Sequence, residues 1–346
     1  MIAMKLSCGA LAVVALIGCG SSTATTDGGV DGGVDSSALD APSEASGPAA
    51  ATNAANGDPL CTAIAPFYWE IGDVNGAIVS GTTGSGLIKQ TTQLNIASAS
   101  KWWWGAYVVE KFKTDLSQID LASMTMQSGR TNFTDCSGAT TIDACCAMTG
   151  LAGTGTTNCD VETGDVGHFF YGGGHFEGYA STLGLGSDDD AALASAMSSL
   201  LGSELQFSFT QPQPAGGMKM SAADYTQFLR KILGGGLAIR DHLGENAVCT
   251  LPGASCPSAH YSPSPLAWHY SYGHWVEDEP QTGDGAFSSA GKFGFYPWID
   301  ASKKFYGVVA REDLAPGNGT VQDAPYYKSV LCGRAIRSAF MANGSP

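Results

Sequence analysis

Strand-like runs stand at both ends of the last ~290 residues, and helical patterns fill the stretch between them. Segments 67–73 and 76–80 read as two strands joined by a turn at Asp73-Val74-Asn75-Gly76. Near the other end, 286–290, 293–299 and 305–311 are again of strand length and character. Between them, 101–112, 191–201 and 221–233 carry helical patterns, and a last helix is expected over 326–341. Ser221 and Asp224 make an N-terminal capping pattern ahead of Tyr225, Phe228, Leu229 and Ile232. This order predicts an α+β chain: strands from both ends build one antiparallel sheet flanked by helices, with a helical subdomain beside it.

The first 57 residues have a different character. Lys5 supplies a positive charge, and the apolar stretch 10–17 is too short to cross a bilayer, as in an export signal. Leu16-Ile17-Gly18-Cys19 puts small residues and a cysteine where lipoprotein processing needs them; the alternative is an ordinary signal peptide in which Cys19 is incidental. Residues 20–57 are dominated by Ser, Thr, Gly, Ala and Asp, which bury too little surface to offset ordering entropy. The expected division is therefore a signal peptide at 1–19, a flexible tether at 20–57 and a folded domain at 58–343. The expected location is the bacterial cell envelope, with the exported chain held to a membrane by lipid on Cys19.

Export also gives the cysteines a reading. Of ten, Cys8 leaves with the signal and Cys19 carries lipid, so an even set remains for disulfides. Cys249 and Cys256 flank a Pro/Gly loop and form a natural local pair, while Cys61 and Cys332 sit near the two ends of the domain. The group Cys136, Cys145, Cys146 and Cys159 lacks histidines at zinc spacing, so crosslinks are expected there rather than a metal.

Several function classes are disfavoured. The net charge of -15 repels phosphate backbones, which argues against nucleic-acid binding, although Asp27, Asp31, Asp35 and Asp40 place part of it in the tether. No G-x-S-x-G elbow, phosphate loop or dinucleotide fingerprint occurs. His168, His175 and Glu177 lack the i, i+4 spacing of helical metal ligands, so packing or solvation is expected, with no metal and no cofactor. Trp102, Trp103 and Trp104 are adjacent on a helix and point in different directions, which suits core packing better than a sugar platform.

Ser98-Ala99-Ser100-Lys101 carries the chemistry. On a helix, residues i and i+3 share a face, so the hydroxyl and the amine can meet. Burial lowers the pKa of a lysine, and a neutral Lys101 can then take the Ser98 proton as attack begins. Ser289 and Lys292 repeat the spacing, but only the first match follows a strand-like segment and opens a helix. At a helix N-terminus, the dipole and free N–H groups favour a developing oxyanion.

This segment resembles the nucleophile motif of serine β-lactamases, D,D-peptidases and related esterases. Met124-Thr125-Met126-Gln127-Ser128-Gly129, the Gly-rich stretch from Ala215 into Ser221 and Tyr225, and Tyr272-Gly273-His274-Trp275 are similar to later family segments, in the same order. The resemblance covers roughly 62–341. It implies the β-lactamase/transpeptidase-like fold and acyl transfer to Ser98 with Lys101 as base. It also implies a proton-shuttling tyrosine at Tyr171, with Tyr179 as the competing alignment and a core tyrosine as the plain reading. Gly173 stands where the family carries an asparagine. Ser289-Ala290-Gly291 takes the place of a third motif that usually begins with a cation; the strand would supply the N–H of Lys292 to an oxyanion hole shared with Ser98, and the plain reading is an edge strand. Lys292 also lies close to the missing cation. The expected substrates are small-molecule, ester or peptide acyl donors, acted on by a monomer; the alternative is a non-catalytic surface lipoprotein that binds a cell-wall ligand or protein partner.

Overall fold

The apolar runs from the two ends of the chain meet side by side. A computed structural model describes residues 46–343, apart from 114, 154, 316 and 317. Its strands are β1 (Phe67–Asp73), β2 (Gly76–Thr83), β3 (Leu94–Asn95), β4 (Phe169–Phe170), β5 (Ser208–Phe209), β6 (Met218–Met220), β7 (Val248–Cys249), β8 (Ala259–Tyr261), β9 (His269–Tyr270), β10 (Trp275–Glu277), β11 (Ala286–Ser288), β12 (Tyr296–Ile299) and β13 (Tyr306–Ala310). Its α-helices are α1 (Gly47–Gly57), α2 (Pro59–Thr62), α3 (Ser100–Phe112), α4 (Gln118–Met124), α5 (Ile142–Cys146), α6 (Gly174–Ala180), α7 (Asp190–Leu201), α8 (Ala222–Leu233) and α9 (Pro325–Ala342).

The main sheet runs β2-β1-β13-β12-β11-β10-β9-β7, antiparallel at every pairing. β1 pairs with its hairpin partner β2 and, across the whole sequence, with β13 in the register Trp69↔Val309 and Glu70↔Val308. All five residues of β13 are buried, and successive strand residues face opposite sides, so both faces of the sheet centre are covered. α8 and α9 both pack on that strand. The expected α+β architecture is borne out, with strand and helix ends within a few residues of those read from the pattern.

Helix α3 is buried from Ser100 to Val109. Its three tryptophans diverge as expected: Trp103 stacks on Phe228 of α8 with centroids 4.1 Å apart, Trp102 on His274 at 5.5 Å, and Trp104 on Tyr107 at 5.1 Å. Ser221 caps α8 through a full capping box with Asp224. Cysteines pair as Cys61–Cys332, Cys136–Cys145, Cys146–Cys159 and Cys249–Cys256.

One boundary is corrected. The composition of 20–57 predicts a flexible tether, yet residues 47–57 form α1, which packs against α9 and β2. Gly47, Ala51 and Ala55 face inward at i, i+4 spacing. The tether reading weighed only the lack of large apolar side chains; an alanine face lets two helices lie close and bury surface without them. Residues 1–19, Cys19 and the earlier part of the tether lie outside the described residues. Among the described residues, no helix is long and apolar enough to cross a membrane.

Candidate active site

The segment around Ser98 is clamped from several sides before any side chain is considered. β3 pairs with β6 through Leu94↔Met220 and Asn95↔Lys219, and the Ile96 N–H donates to Met218 O at 3.1 Å. Ala97 follows with φ +46, a left-handed conformation that a non-glycine residue adopts only under outside constraint. A short 3-10 turn over Ala97–Ala99 then leads into α3. Tyr225 Oη of α8 donates to Ala99 O at 2.8 Å, and Ser100 Oγ donates to Ala97 O at 2.6 Å. The sharp turn leaves Ser98 facing a cleft while both its neighbours are buried.

One turn of helix later, Lys101 Nζ lies 3.0 Å from Ser98 Oγ and donates to Ala215 O at 2.7 Å. Lys101 is only 4 % exposed. Burial pulls its amine down to about 8, and the charge of Glu177 works in the opposite direction. The geometry required by the S-x-x-K reading, an alcohol and a desolvated amine in contact, is present.

Tyr171 arrives from the loop after β4. Its strand is held by Phe170 N–H to Met126 O at 3.0 Å and Tyr171 N–H to Tyr261 O at 3.0 Å. The ring stacks on Trp275 with centroids 5.2 Å apart and places its face 5.0 Å from Lys101 Nζ. Burial pushes the phenol well above its ordinary value, and the nearby Ser98 hydroxyl opposes that shift. Tyr179, the competing alignment, instead donates to Asp120 of α4 and does not line the cleft.

The cleft has a volume of about 870 Å³ and is lined by Ser98, Lys101, Tyr171, Gly173, Ala290 and Lys292 among others. Six candidate residues thus converge on one cavity. Ser289 and Gly291 do not line it. The Ser289 hydroxyl donates to the Ser98 carbonyl at 3.0 Å, so it secures the segment around Ser98 rather than facing the cleft. Gly291 packs so tightly that a Cβ there would stand 2.0 Å from Ile96 O, and only glycine allows the end of β11 to approach. The Gly291 N–H donates to Phe295 O and the Gly294 N–H to Gly291 O, both at 2.8 Å, which closes the turn carrying Lys292. Gly173 reaches the cleft only as backbone: a Cβ would meet the Phe133 ring at 2.5 Å, so Phe133 occupies the space a longer side chain would need.

Two other motif segments serve as scaffolding. Gly273, at φ +76, passes so close to α3 that a Cβ would sit 2.2 Å from Lys101 O. His175 is buried, with Nδ1 at 2.8 Å from Ser128 Oγ and Nε2 at 2.9 Å from Phe170 O. Both its ring nitrogens are therefore engaged, and burial draws its pKa down to about 4. His168 stacks on His260 with ring centroids 4.0 Å apart.

Sequence reasoning missed the cleft's far wall and Glu177. Thr131, Phe133, Thr134, Asp135, Ser137 and Leu151 line the cleft from the segment crosslinked by Cys136–Cys145 and Cys146–Cys159. Nothing in its aperiodic sequence pointed there beyond the density of cysteines. Glu177 was weighed only as a metal ligand. It is fully buried on α6, and its Oε1 accepts from the Ala215 N–H at 3.0 Å.

No family model matches the chain, and no curated protein matches it. Solved structures do. The D-amino acid amidase from Ochrobactrum anthropi SV3 superposes with TM-score 0.58 at 11% identity, covering 85% of this chain and 99% of that one. EstCE1, a hydrolase with promiscuous acyltransferase activity, gives 0.57 at 12%, covering 85% and 98%. The octameric penicillin-binding protein homologue from Pyrococcus abyssi gives 0.56 at 12%, covering 82% and 75%. At these identities the likeness is one of fold, and the fold is β-lactamase/transpeptidase-like.

Proposed function

We propose that the chain is a serine hydrolase that forms an acyl-enzyme on Ser98. The observation carrying this reading is the 3.0 Å approach of the desolvated Lys101 amine to the Ser98 hydroxyl inside a cleft. In the reaction, Ser98 Oγ attacks the acyl carbonyl as its proton passes to Lys101. The N–H groups of Ser98 and Lys292 hold the oxyanion. Collapse breaks the bond to the leaving group, which takes a proton from Tyr171, and Tyr171 is reprotonated by Lys101. Water then attacks the ester, releases the acid and restores Ser98.

The cleft favours uncharged acyl groups with flat or apolar surfaces. Trp268, Trp275, Tyr261, Phe133, Phe293 and Tyr326 line it. The third motif contributes no cation of its own, and the Ser289 hydroxyl is already engaged. Esters and amides of this kind fit better than donors anchored through a carboxylate at position 289, and Lys292 in the cleft wall is the cation left to meet one. A D-amino acid amidase and a hydrolase with promiscuous acyltransferase activity share the fold. We place the protein in the cell envelope as a monomer, exported by the signal at 1–19 and anchored through lipid on Cys19; four disulfides suit an oxidising compartment.

A fluorophosphonate probe and a fluorescent penicillin test the reading directly. Wild type takes up at least the fluorophosphonate, Ser98→Ala takes up neither, and Lys101→Ala labels on the order of 100-fold more slowly. Failure of both probes on folded wild type would overturn the hydrolase reading in favour of a non-catalytic lipoprotein that binds a cell-wall ligand.

A further inference from the structure

The peptide unit of Ala215 stands between two buried charges. Its N–H donates to Glu177 Oε1 at 3.0 Å and its carbonyl accepts from Lys101 Nζ at 2.7 Å. Glu177 is fully buried on α6, and its second carboxyl oxygen has no hydrogen-bond partner among the described residues. Gly216 and Gly217 follow, and a Cβ on Gly217 would stand 2.3 Å from Gln211 O, so the turn that presents Ala215 has little room to move. A carboxylate is costly to bury without a compensating charge, and so is an ammonium.

We propose that Glu177 is a positioning residue for Lys101: it holds the Ala215 peptide whose carbonyl aims the amine at Ser98, and it supplies the buried negative charge the amine needs when it takes up the Ser98 proton. The proposal rests on the acyl-transfer reading for its catalytic consequence but not for its physical content. Proton transfer turns a neutral lysine into an ammonium in a dry site. With Glu177 ionised, that ammonium has a counter-charge; with a neutral amide at 177, it has only the Ala215 carbonyl.

The two groups respond to each other as this requires. Burial raises the Glu177 carboxyl to about 7, while the Ala215 N–H and the Lys101 charge pull it back. Other titratable groups lie around the pair: Tyr171 presents its ring 5.0 Å from the amine, His175 shares α6 and feels the Lys101 charge, Arg130 packs against Gly178 of α6, and Lys292 and Asp135 line the same cleft. His175 is held neutral at working pH by burial and so adds no competing positive charge, while the charge that acts on the Lys101 amine is that of Glu177.

Glu177→Gln keeps an oxygen for the Ala215 N–H and removes the charge. The amine is read without catalysis, by NMR of lysine labelled at Cε, with Lys101 assigned through Lys101→Arg. Its midpoint, near 8 in wild type, falls by about one pH unit or more in Glu177→Gln and is held by Glu177→Asp. The acid limb of fluorophosphonate labelling moves down by the same interval, and the plateau rate falls about ten-fold because the weaker base takes the proton less readily. An unchanged Lys101 midpoint in Glu177→Gln overturns the proposal whether or not the protein labels. A shifted midpoint in a protein that never labels supports it and removes the hydrolase reading instead. If Glu177→Gln does not fold, wild type still decides: the Lys101 signal follows a broadened titration that takes two coupled ionisations to fit, and a curve that fits one independent ionisation overturns the proposal.

Discussion

Burial sets the protonation state of individual residues throughout this fold. His175 and His274 are both fully buried and both drawn down to about 4, since a charged imidazole would lose its hydration. His274 accepts from the Gly244 N–H at 3.1 Å, a bond only the neutral ring can accept. The consequence is a pH-dependent stability. Between about 4 and the ordinary histidine value near 6.5, the unfolded chain binds more protons than the folded one, so stability is full above that window and is lost as pH falls through it. Glu177 acts with the opposite sign: its raised carboxyl favours the folded state at low pH, and that contribution is lost as pH rises through about 7. Two imidazoles at about 3 kcal/mol each outweigh one carboxyl. The melting temperature should therefore fall steadily from pH 6.5 to 4 in calorimetry, and a flat profile over that range would contradict the neutral assignment.

At the scale of elements, the site depends on how closely backbone segments approach. The end of β11 touches the strand-to-helix turn before Ser98, and Gly291 is the point of contact. A methyl group there would be 2.0 Å from the Ile96 carbonyl, and backbone on both sides leaves no flexible side chain to yield. Gly291→Ala is expected to cost about 2 kcal/mol or more and to displace Lys292 from the oxyanion role proposed for its N–H. Labelling of Ser98 should drop at least ten-fold while far-UV circular dichroism keeps its wild-type form. Normal labelling with normal stability would mean the two segments are looser than their spacing indicates. Helix α1 makes the complementary point, since small side chains gave an ordered element where large ones were absent.

Across the whole molecule, the sheet joins what the sequence separates most. β1 pairs with β13 from the far end of the domain, and the Tyr306 hydroxyl donates to Glu70 Oε1 at 2.6 Å across 236 positions. The Cys61–Cys332 bridge crosses 271 positions and ties α2 to α9 on the same side of the chain's closure. Long loops lose most entropy in the unfolded state when crosslinked, so this bridge should stabilise more than the short Cys249–Cys256 one. Replacing Cys61 and Cys332 by alanine is expected to lower unfolding free energy by about 2–5 kcal/mol, read from urea denaturation. Cys249→Ala with Cys256→Ala should cost less; the reverse order would show that local strain, not loop closure, governs the bridges.

Much of this was legible in the residues themselves because it rests on local periodicity. Three positions along a helix bring Ser98 and Lys101 to one face whatever surrounds them, and the Ser221–Asp224 cap marks the start of α8 without help from elsewhere. The strand runs and the placing of Tyr171 near Ser98 followed from pattern and resemblance. What lay beyond reach depends on contacts between distant segments. Helix α1 is ordered by α9 nearly three hundred residues away, Phe133 fills the space beside Gly173, and the Ser289 hydroxyl turns to the Ser98 carbonyl. Glu177 could be seen as a carboxylate, but only packing against Ala215 joins it to Lys101. Helical and strand periods act over a few residues and are written in order along the chain; burial, close approach and charge pairing are set by what the fold brings next to each group.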